Sequence, residues 1–380
     1  MAGTLYAGVD IGGTKIAVAL VSEEGRIVRQ ARTPTPAGGG AAVPVAAARL
    51  IAELRAGLPG ATVAAVGVGS PGVIDRAAGR VVSATDVLPG WAGMEVRATL
   101  EELTGVPVTV DNDVRAMAYG EAKAGAGAGF SRVLYVSVGT GIGGALTRDG
   151  ELEYGAHGTA GETAHLLVPA TGAIPCGCGR LDHLEAVASG PAMAAAYAAR
   201  TGERLPLPEI AARLADDPAA RDTVHGAAAL LGRALAGLAA VLDPDALVVG
   251  GGAAQIGPAF RTPLTEALHA EALPPLRALP VLPAHLGTDA PLIGAALQSK
   301  AALTTRPAPH TTGPQTTGPQ TASQTGPRTT DLQTTSQTGP RTTGPQTASQ
   351  TASQTGPQTG PQTTDRQATG PRSGSGPERG

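Results

Sequence analysis

The chain has 380 residues and a formal charge of −3. Its last 77 residues, from Thr304, are mostly Thr, Gln, Gly, Pro and Ser and carry +3, which leaves −6 on the rest and excludes a polyanion-binding surface. All eight aromatic residues lie at or before Phe260, so compact packing is confined to about 300 residues, enough for two domains. The cysteines are Cys176 and Cys178, too few for a disulfide framework, and a reducing, cytoplasmic setting is expected. The most apolar helical stretch, Gly226 to Leu242, is interrupted by Arg233 and falls short of the roughly 20 residues of a membrane span. The N-terminus has no basic run ahead of an apolar one, so no signal peptide is expected.

Strands are predicted at Leu5 to Asp10, Ile16 to Val21 and Arg26 to Thr33, joined by turns at Gly12–Gly13 and Glu24–Gly25 into an antiparallel meander. Ala41 to Gly57 reads as a helix and Thr62 to Gly69 as a buried strand ending at Ser70-Pro71-Gly72. A helix at Met94 to Thr104, a short strand at Val106 to Val110 and a helix at Val114 to Lys123 follow. The pattern then restarts, with a strand at Arg132 to Val138, a glycine turn at Gly139 to Gly144 and a strand at Gly144 to Thr147. Gly150 to Ala173 reads as irregular. Helices are predicted at Leu184 to Ala199 and Pro218 to Leu242, a buried strand at Ala246 to Val249 and a helix after Gly252. A last strand falls at Val281 to Ala284 and a last helix at Pro291 to Leu303. Two related halves are the economical reading. The tail repeats TTGPQ and TASQTGP, lacks apolar residues and is expected to be disordered.

Five motifs bear on chemistry. Asp10-Ile11-Gly12-Gly13-Thr14-Lys15 offers backbone N–H groups, a hydroxyl and an ammonium to a phosphate, with Asp10 placed to hold Mg²⁺ through water. An ordinary hairpin turn would need the glycines but neither the acid nor the lysine. Gly139, Gly141 and Gly144 satisfy the dinucleotide fingerprint by letters, and Glu162 sits where a ribose-binding acid would be. That fingerprint requires a helix after the turn, whereas Ala145 to Arg148 is strand-like. Two hairpin-borne glycine loops instead suggest a phosphoryl group gripped from both sides.

Asp111-Asn112-Asp113 lies between a strand and a helix, where an acid can take a proton from a hydroxyl. On the triplet alone a helix cap is the favoured reading. His157, His165 and His183 cluster with both cysteines between Gly155 and Glu185, and two thiolates with two imidazoles make a tetrahedral structural zinc set. Gly250-Gly251-Gly252 after a strand fits either a backbone approach to a nucleotide or a tight strand-to-helix turn.

In this order the motifs resemble the ROK family of bacterial sugar kinases and repressors, within the actin-like ATPase superfamily. DIGGTK and VGTGIGG look like the family's two phosphate loops, VGVGSPGVID and ATDVLPGW its sugar-domain segment, and DNDVRAMAYGE its catalytic segment. AGETAH looks like its sugar loop, CGCGRLDHLE its zinc signature, and ALVVGGG with PLIGAA its closing motifs.

The resemblance implies an α/β, actin-like (ribonuclease H-like) fold of two domains around a cleft. Residues 1–115 would form one, completed by 291–303, and 116–290 the other, with 304–380 as tail. It implies Asp113 as catalytic base and Asn112, Glu162, His165, Glu185 and Asp86 at the sugar. Asp10, Gly12, Gly13, Thr14, Lys15, Gly139, Thr140, Gly141, Gly251 and Gly252 would lie at ATP–Mg²⁺, and His165, Cys176, Cys178 and His183 would hold Zn²⁺.

The implied reaction moves the γ-phosphoryl of ATP to the 6-hydroxyl of a hexose, glucose first, with N-acetylhexosamines and other hexoses as alternatives and a non-catalytic sugar sensor behind them. A cytoplasmic homodimer or homotetramer without nucleic-acid or membrane partners is expected. Only nine residues precede Asp10, too few for a repressor's DNA-reading helix pair. Four positions depart from the family pattern. His183 replaces a usual cysteine, while Arg115, Thr163-Ala164 and Asp86 bear on which sugar is bound.

Overall fold

The computed structural model describes residues 3–84, 88–169 and 172–305. Strands β1 (Thr4–Ile11), β2 (Lys15–Val21) and β3 (Ile27–Pro34) form the expected meander, with Asp10 opposite Ala17 and Ile11 opposite Ile16 at the glycine turn. Helix α1 (Ala42–Ala56) turns Val43, Ala47, Leu50, Ile51 and Leu54 inward at helical spacing. Strand β4 (Thr62–Ser70) returns parallel to β1. A hairpin of β5 (Val73–Asp75) and β6 (Arg80–Ser83), absent from the sequence reading, precedes α2 (Val96–Thr104). Strand β7 (Val108–Asn112) then runs directly into α3 (Asp113–Ala124).

The second half repeats the scheme. Strands β8 (Arg132–Val138), β9 (Ile142–Arg148) and β10 (Glu151–Glu153) form another meander, the last within a segment expected to be irregular. Helices α4 (Leu184–Ala188), α5 (Gly190–Thr201), α6 (Leu207–Ala212) and α7 (Pro218–Leu242) follow. Strand β11 (Ala246–Gly250), helix α8 (Pro258–Glu271), strand β12 (Val281–Pro283) and helix α9 (Ala290–Thr305) complete the described fold. The sheets have strand orders β3-β2-β1-β4-β7 and β10-β9-β8-β11-β12. Position for position these are one topology, as expected of an actin-like ATPase fold.

Each sheet is covered on both faces, so its central strands are apolar throughout. Helices α1 and α2 cover one face of the first sheet, and α9 lies on the other through Leu292 and Ala296. Helix α3 covers one face of the second sheet through Met117, Ala118 and Ala122, while α4, α5, α7 and α8 cover the opposite face. Because α3 and α9 also pack on each other, the two sheets share a central helical layer.

Two expectations need correction. The helix predicted from Leu184 to Ala199 is two helices, broken at Ser189, whose backbone is extended and whose hydroxyl caps α5 by accepting from the Ala192 N–H at 3.3 Å. Pro191 behind it suits a first helical turn and not a helix interior. Helix α7 is 25 residues long and passes the length and composition of a membrane span, which the apolar stretch within it was expected to miss. Its Ala228, Leu231, Leu235 and Ala239 are buried in the core that it shares with α5 and α8. Asp86 and the tail from Arg306 lie outside the described residues.

The helical layer is seated by glycines. A methyl group on Gly8 or Gly67 would overlap the α9 backbone at Leu292 or Ala295, and one on Gly294 would overlap the Ala116 carbonyl of α3. Gly294→Ala is therefore expected to cost about 3 kcal/mol or more, because neither backbone can yield. Gly237→Ala, at an open position of α7, should be neutral or stabilising by up to about 1 kcal/mol. Urea unfolding midpoints of the two variants check the contrast.

Candidate active site

Strand β1 ends and α3 begins at one wall of a cavity of about 340 Å³. Asp10, Lys15 and Asp113 line it from the first half, and Gly250, Gly251 and Gly252 face them from the end of β11. Gln255, Pro283 and Thr288, which the sequence reading did not single out, complete the far side.

The start of α3 is built by local chemistry. Asn112 has extended backbone angles, and its Oδ1 accepts from the N–H groups of Val114 at 3.0 Å and Arg115 at 3.3 Å. The cap reading of the triplet is thus realised by Asn112, whose Nδ2 also donates to the Gly72 carbonyl at 3.3 Å. Capping leaves Asp113 as the first residue of the helix, on the cavity wall, with its Oδ1 accepting from the Val114 N–H at 2.9 Å.

Two carboxylates share this wall. Burial pushes Asp113 up to about 7, with the negative charge of Asp10 adding to the rise and the backbone N–H of Val114 opposing it. Burial likewise raises Asp10 to about 6, partly offset by Lys15. Among the described residues, no hydrogen bond or ion pair engages the Asp10 carboxylate. An acid without such a partner beside a glycine turn suits a hydrated divalent cation.

The two glycine turns differ in support. In the first, Gly12 N–H donates to Lys15 O at 2.9 Å, and Thr35 braces the turn through its hydroxyl to Gly12 O at 2.6 Å and its N–H to Thr14 O at 3.0 Å. Thr14 and Lys15 remain exposed. In the second, Gly139 N–H donates to Gly141 O at 2.8 Å, and Gly190 N–H at the start of α5 donates to Gly139 O at 2.9 Å. Gly251 has φ of 85° and packs so closely on Val138 that any side chain would overlap its backbone. The β11 turn is therefore a tight strand-to-helix turn, one of the two readings considered from sequence. Thr140 is exposed at the tip of the second turn.

Glu162 follows a loop containing Gly155, Gly158 and Gly161, all at positive φ, and its charge is close enough to raise Asp113 further. Glu185, near the start of α4, accepts from the Ile142 N–H at 3.0 Å and so lies against the second glycine turn. His165, Cys176, Cys178 and His183 converge, with all four candidate ligand atoms within 4.8 Å of one another. The pairings Leu167↔His183 and Pro175↔Leu181 bring these loop segments together. The two Nδ1 atoms are 3.3 Å apart and Cys178 Sγ is 3.2 Å from His183 Nδ1. Zn–N bonds of about 2.0–2.1 Å imply N···N edges of about 3.3 Å in a tetrahedron, so the donor set fits zinc in chemistry and size. His157 is exposed and outside this group.

Two buried acids escaped the sequence reading as site elements. Asp111 accepts from Tyr154 Oη at 2.8 Å and Gln298 Nε2 at 3.0 Å, and pairs with Arg76 at 3.2 Å. Glu121, fully buried, accepts the N–H groups of Ala126 at 2.7 Å, His285 at 3.0 Å and Leu286 at 2.7 Å, tying α3 to the loop beside Thr288.

The sequence model of the ROK family matches residues 6–302. The chain is 33% identical over 308 residues to a glucokinase of Halalkalibacterium halodurans, covering 76% of this chain and 93% of that one. It is 31% identical over 296 residues to an N-acetylmannosamine kinase of Escherichia coli, covering 76% and 96%. A crystal structure of a ROK family glucokinase from Streptomyces griseus in complex with glucose and AMPPNP superposes with a TM-score of 0.70 at 32% identity, covering 78% of this chain and 99% of that one.

The raised carboxylate has a thermodynamic signature. Asp113 binds its proton more tightly folded than unfolded, so its contribution to stability falls as pH rises from about 4 to about 7 and is constant above that. Asp113→Asn, which keeps the Oδ1 acceptor, should therefore raise the melting temperature, and by more at pH 8 than at pH 5. Thermal melts of both proteins at the two pH values test this.

Proposed function

The chain belongs to the ROK family as an ATP-dependent hexokinase-type phosphotransferase, and we propose that it transfers the γ-phosphoryl group of ATP to the 6-hydroxyl of a hexose, glucose before others. The observation that carries this reading is Asp113, which opens a capped helix on the wall of a cavity lined also by Asp10, Lys15 and Gly250 to Gly252, and whose carboxyl is pushed up to about 7. A general base is most effective when its pKa lies near the working pH.

ATP would bind with its phosphates at Gly12–Lys15 and Gly139–Gly141 and its nucleoside side towards Gly251 and Gly252, which line the cavity together with Lys15. Asp10 is the residue that would hold Mg²⁺, which would supply positive charge to offset the negative charge that develops on the transferring phosphoryl group. The hexose binds beside Asp113, held by Asn112, Glu162, His165 and Glu185. His165 turns Nδ1 towards the cysteine–histidine group, which leaves Nε2 for a hydroxyl. Asp113 accepts the proton of the 6-hydroxyl as that oxygen attacks the γ-phosphorus in line. Asn112 contributes by fixing the start of α3, and its Nδ2, at a long 3.3 Å from Gly72 O, is placed to turn to the sugar.

Closure of residues 1–115 with 291–303 against 116–290 would exclude water and protect ATP from hydrolysis. His165, Cys176, Cys178 and His183 would hold a structural Zn²⁺, a closed set of four that leaves no position for substrate. The low cysteine count supports a cytoplasmic setting. An N-acetylhexosamine as substrate is the second reading, favoured by the kinship with an N-acetylmannosamine kinase.

ADP release with ATP–Mg²⁺ over a panel of hexoses and N-acetylhexosamines is expected to be sugar-dependent, fastest with glucose and abolished in Asp113→Asn while sugar binding persists. A rate near wild type in that variant would remove Asp113 as the base. The base must be ionised to act, so kcat/KM for the sugar should rise with pH through a midpoint near 7. Elemental analysis should find one zinc per chain, lost in Cys176→Ser with a rise in the sugar KM. A metal-free wild-type protein with unchanged kinetics would refute the zinc assignment.

A further inference from the structure

Arg115 lies two residues into α3 from Asp113 and is only 5% exposed. Its guanidinium donates to the Gly158 carbonyl, lies 3.6 Å from Glu162 Oε1 and 3.9 Å from Asp111 Oδ1, and sits 5.5 Å from the centre of the Tyr154 ring. Asp111 does not depend on it. That carboxylate already receives Tyr154, Gln298 and Arg76, and its Oδ1 accepts the Asn112 N–H at 2.8 Å. Glu162 is differently placed. Its side chain is 40% exposed, and among the described residues Arg115 is its ion-pair partner. The loop that leads to Glu162 has Gly155, Gly158 and Gly161 at φ of 70°, 70° and 86°, the left-handed region that favours glycine. Arg115 grasps this loop at its middle glycine and at its end.

We propose that Arg115 is a positioning residue for the sugar, clamping Glu162 and its loop to the helix that begins with Asp113. This rests on the reading of Glu162 as a sugar ligand. The carboxylate that grips the hydroxyls and the carboxylate that accepts the proton then share one rigid reference. A displaced grip moves the attacking hydroxyl off line, and about 1 Å of misplacement costs as much as a hundredfold in rate. The planar guanidinium serves because its fork reaches a carbonyl and a carboxylate together, which a lysine ammonium on a flexible stem does less well.

The test is a kinetic cycle on the full-length protein with Arg115→Met, Arg115→Lys, Glu162→Gln and the Arg115→Met/Glu162→Gln double variant, using the sugar that the panel selects. Arg115→Met should lower kcat/KM for the sugar about tenfold to a hundredfold, through kcat, the sugar KM or both, and leave the ATP KM within about twofold. Arg115→Lys should fall between it and wild type. Because Arg115 acts through Glu162, the double variant should match Glu162→Gln within about threefold. Multiplicative effects in the double variant, an equal rise in both KM values, or wild-type kinetics in Arg115→Met would each overturn the proposal. Melting curves accompany the cycle, and Arg115→Lys carries the sugar-against-ATP comparison if the methionine variant does not fold. An unchanged sugar KM in Glu162→Gln would instead remove the sugar role of Glu162, and the clamp with it.

Discussion

The close seating of α9 on the first sheet and on α3 governs where the chemistry sits. Side-chain packing tolerates small adjustments, but backbone against backbone leaves no slack. Gly8 and Gly67 bring β1 and β4 directly under α9, and Gly294 brings α9 directly against α3. The end of β1 and the start of α3 are thereby fixed relative to each other, and they carry Asp10 and Asp113. Helix α9 follows β12, so the chain that completes the second sheet returns to seat itself on the first.

Holding two carboxylates on one partly buried wall works against the fold. Each would gain by ionising in water, and each raises the cost of ionising the other, as the elevated Asp113 shows. The acids stand at a cavity lined also by Lys15 and Ser137, while the two larger apolar cores lie on the far faces of the sheets. A site assembled for stability alone would pair these acids with arginines, as the protein does at Asp111. Asp111 is tied to Arg76, Tyr154 and Gln298, whereas Asp113, two residues on, has no ion pair among the described residues and is left on the cavity wall.

Much of the fold was legible because its signals are local. The two strand–glycine–strand openings stand in the sequence and become the two equivalent meanders. The break at Ser189 was also written there, as Ser-Gly-Pro, but the alanine-rich helical pattern on either side obscured it. The β5–β6 hairpin has strands of three and four residues, too short to show a period of two. Within the site, the Asp-Asn-Asp triplet posed a choice between cap and chemistry that the structure dissolves, since Asn112 caps and Asp113 is thereby presented. Glu121 was out of reach for a physical reason. A charged residue on a helix ordinarily marks a solvated face, and nothing local reveals that α3 is enclosed by a sheet on one side and α9 on the other.

That enclosure gives α3 contacts on two opposite faces. Residues four apart on a helix share a face, and residues two apart lie on nearly opposite faces. Asp113 and Met117 line the cavity, and Glu121, four further on, holds the loop at His285 and Leu286 that borders its far side. Arg115 points the other way, to the carbonyl of Gly158 and the carboxylate of Glu162. One face of α3, from its first residue, therefore lines the cavity, and the opposite face holds the loop that ends at Glu162. In-line transfer demands that donor phosphorus, acceptor oxygen and base keep a fixed relation. A single capped helix, seated without slack on α9 and tied to a loop on each side, holds its first residue and both loops in one frame, as two independently mobile walls could not.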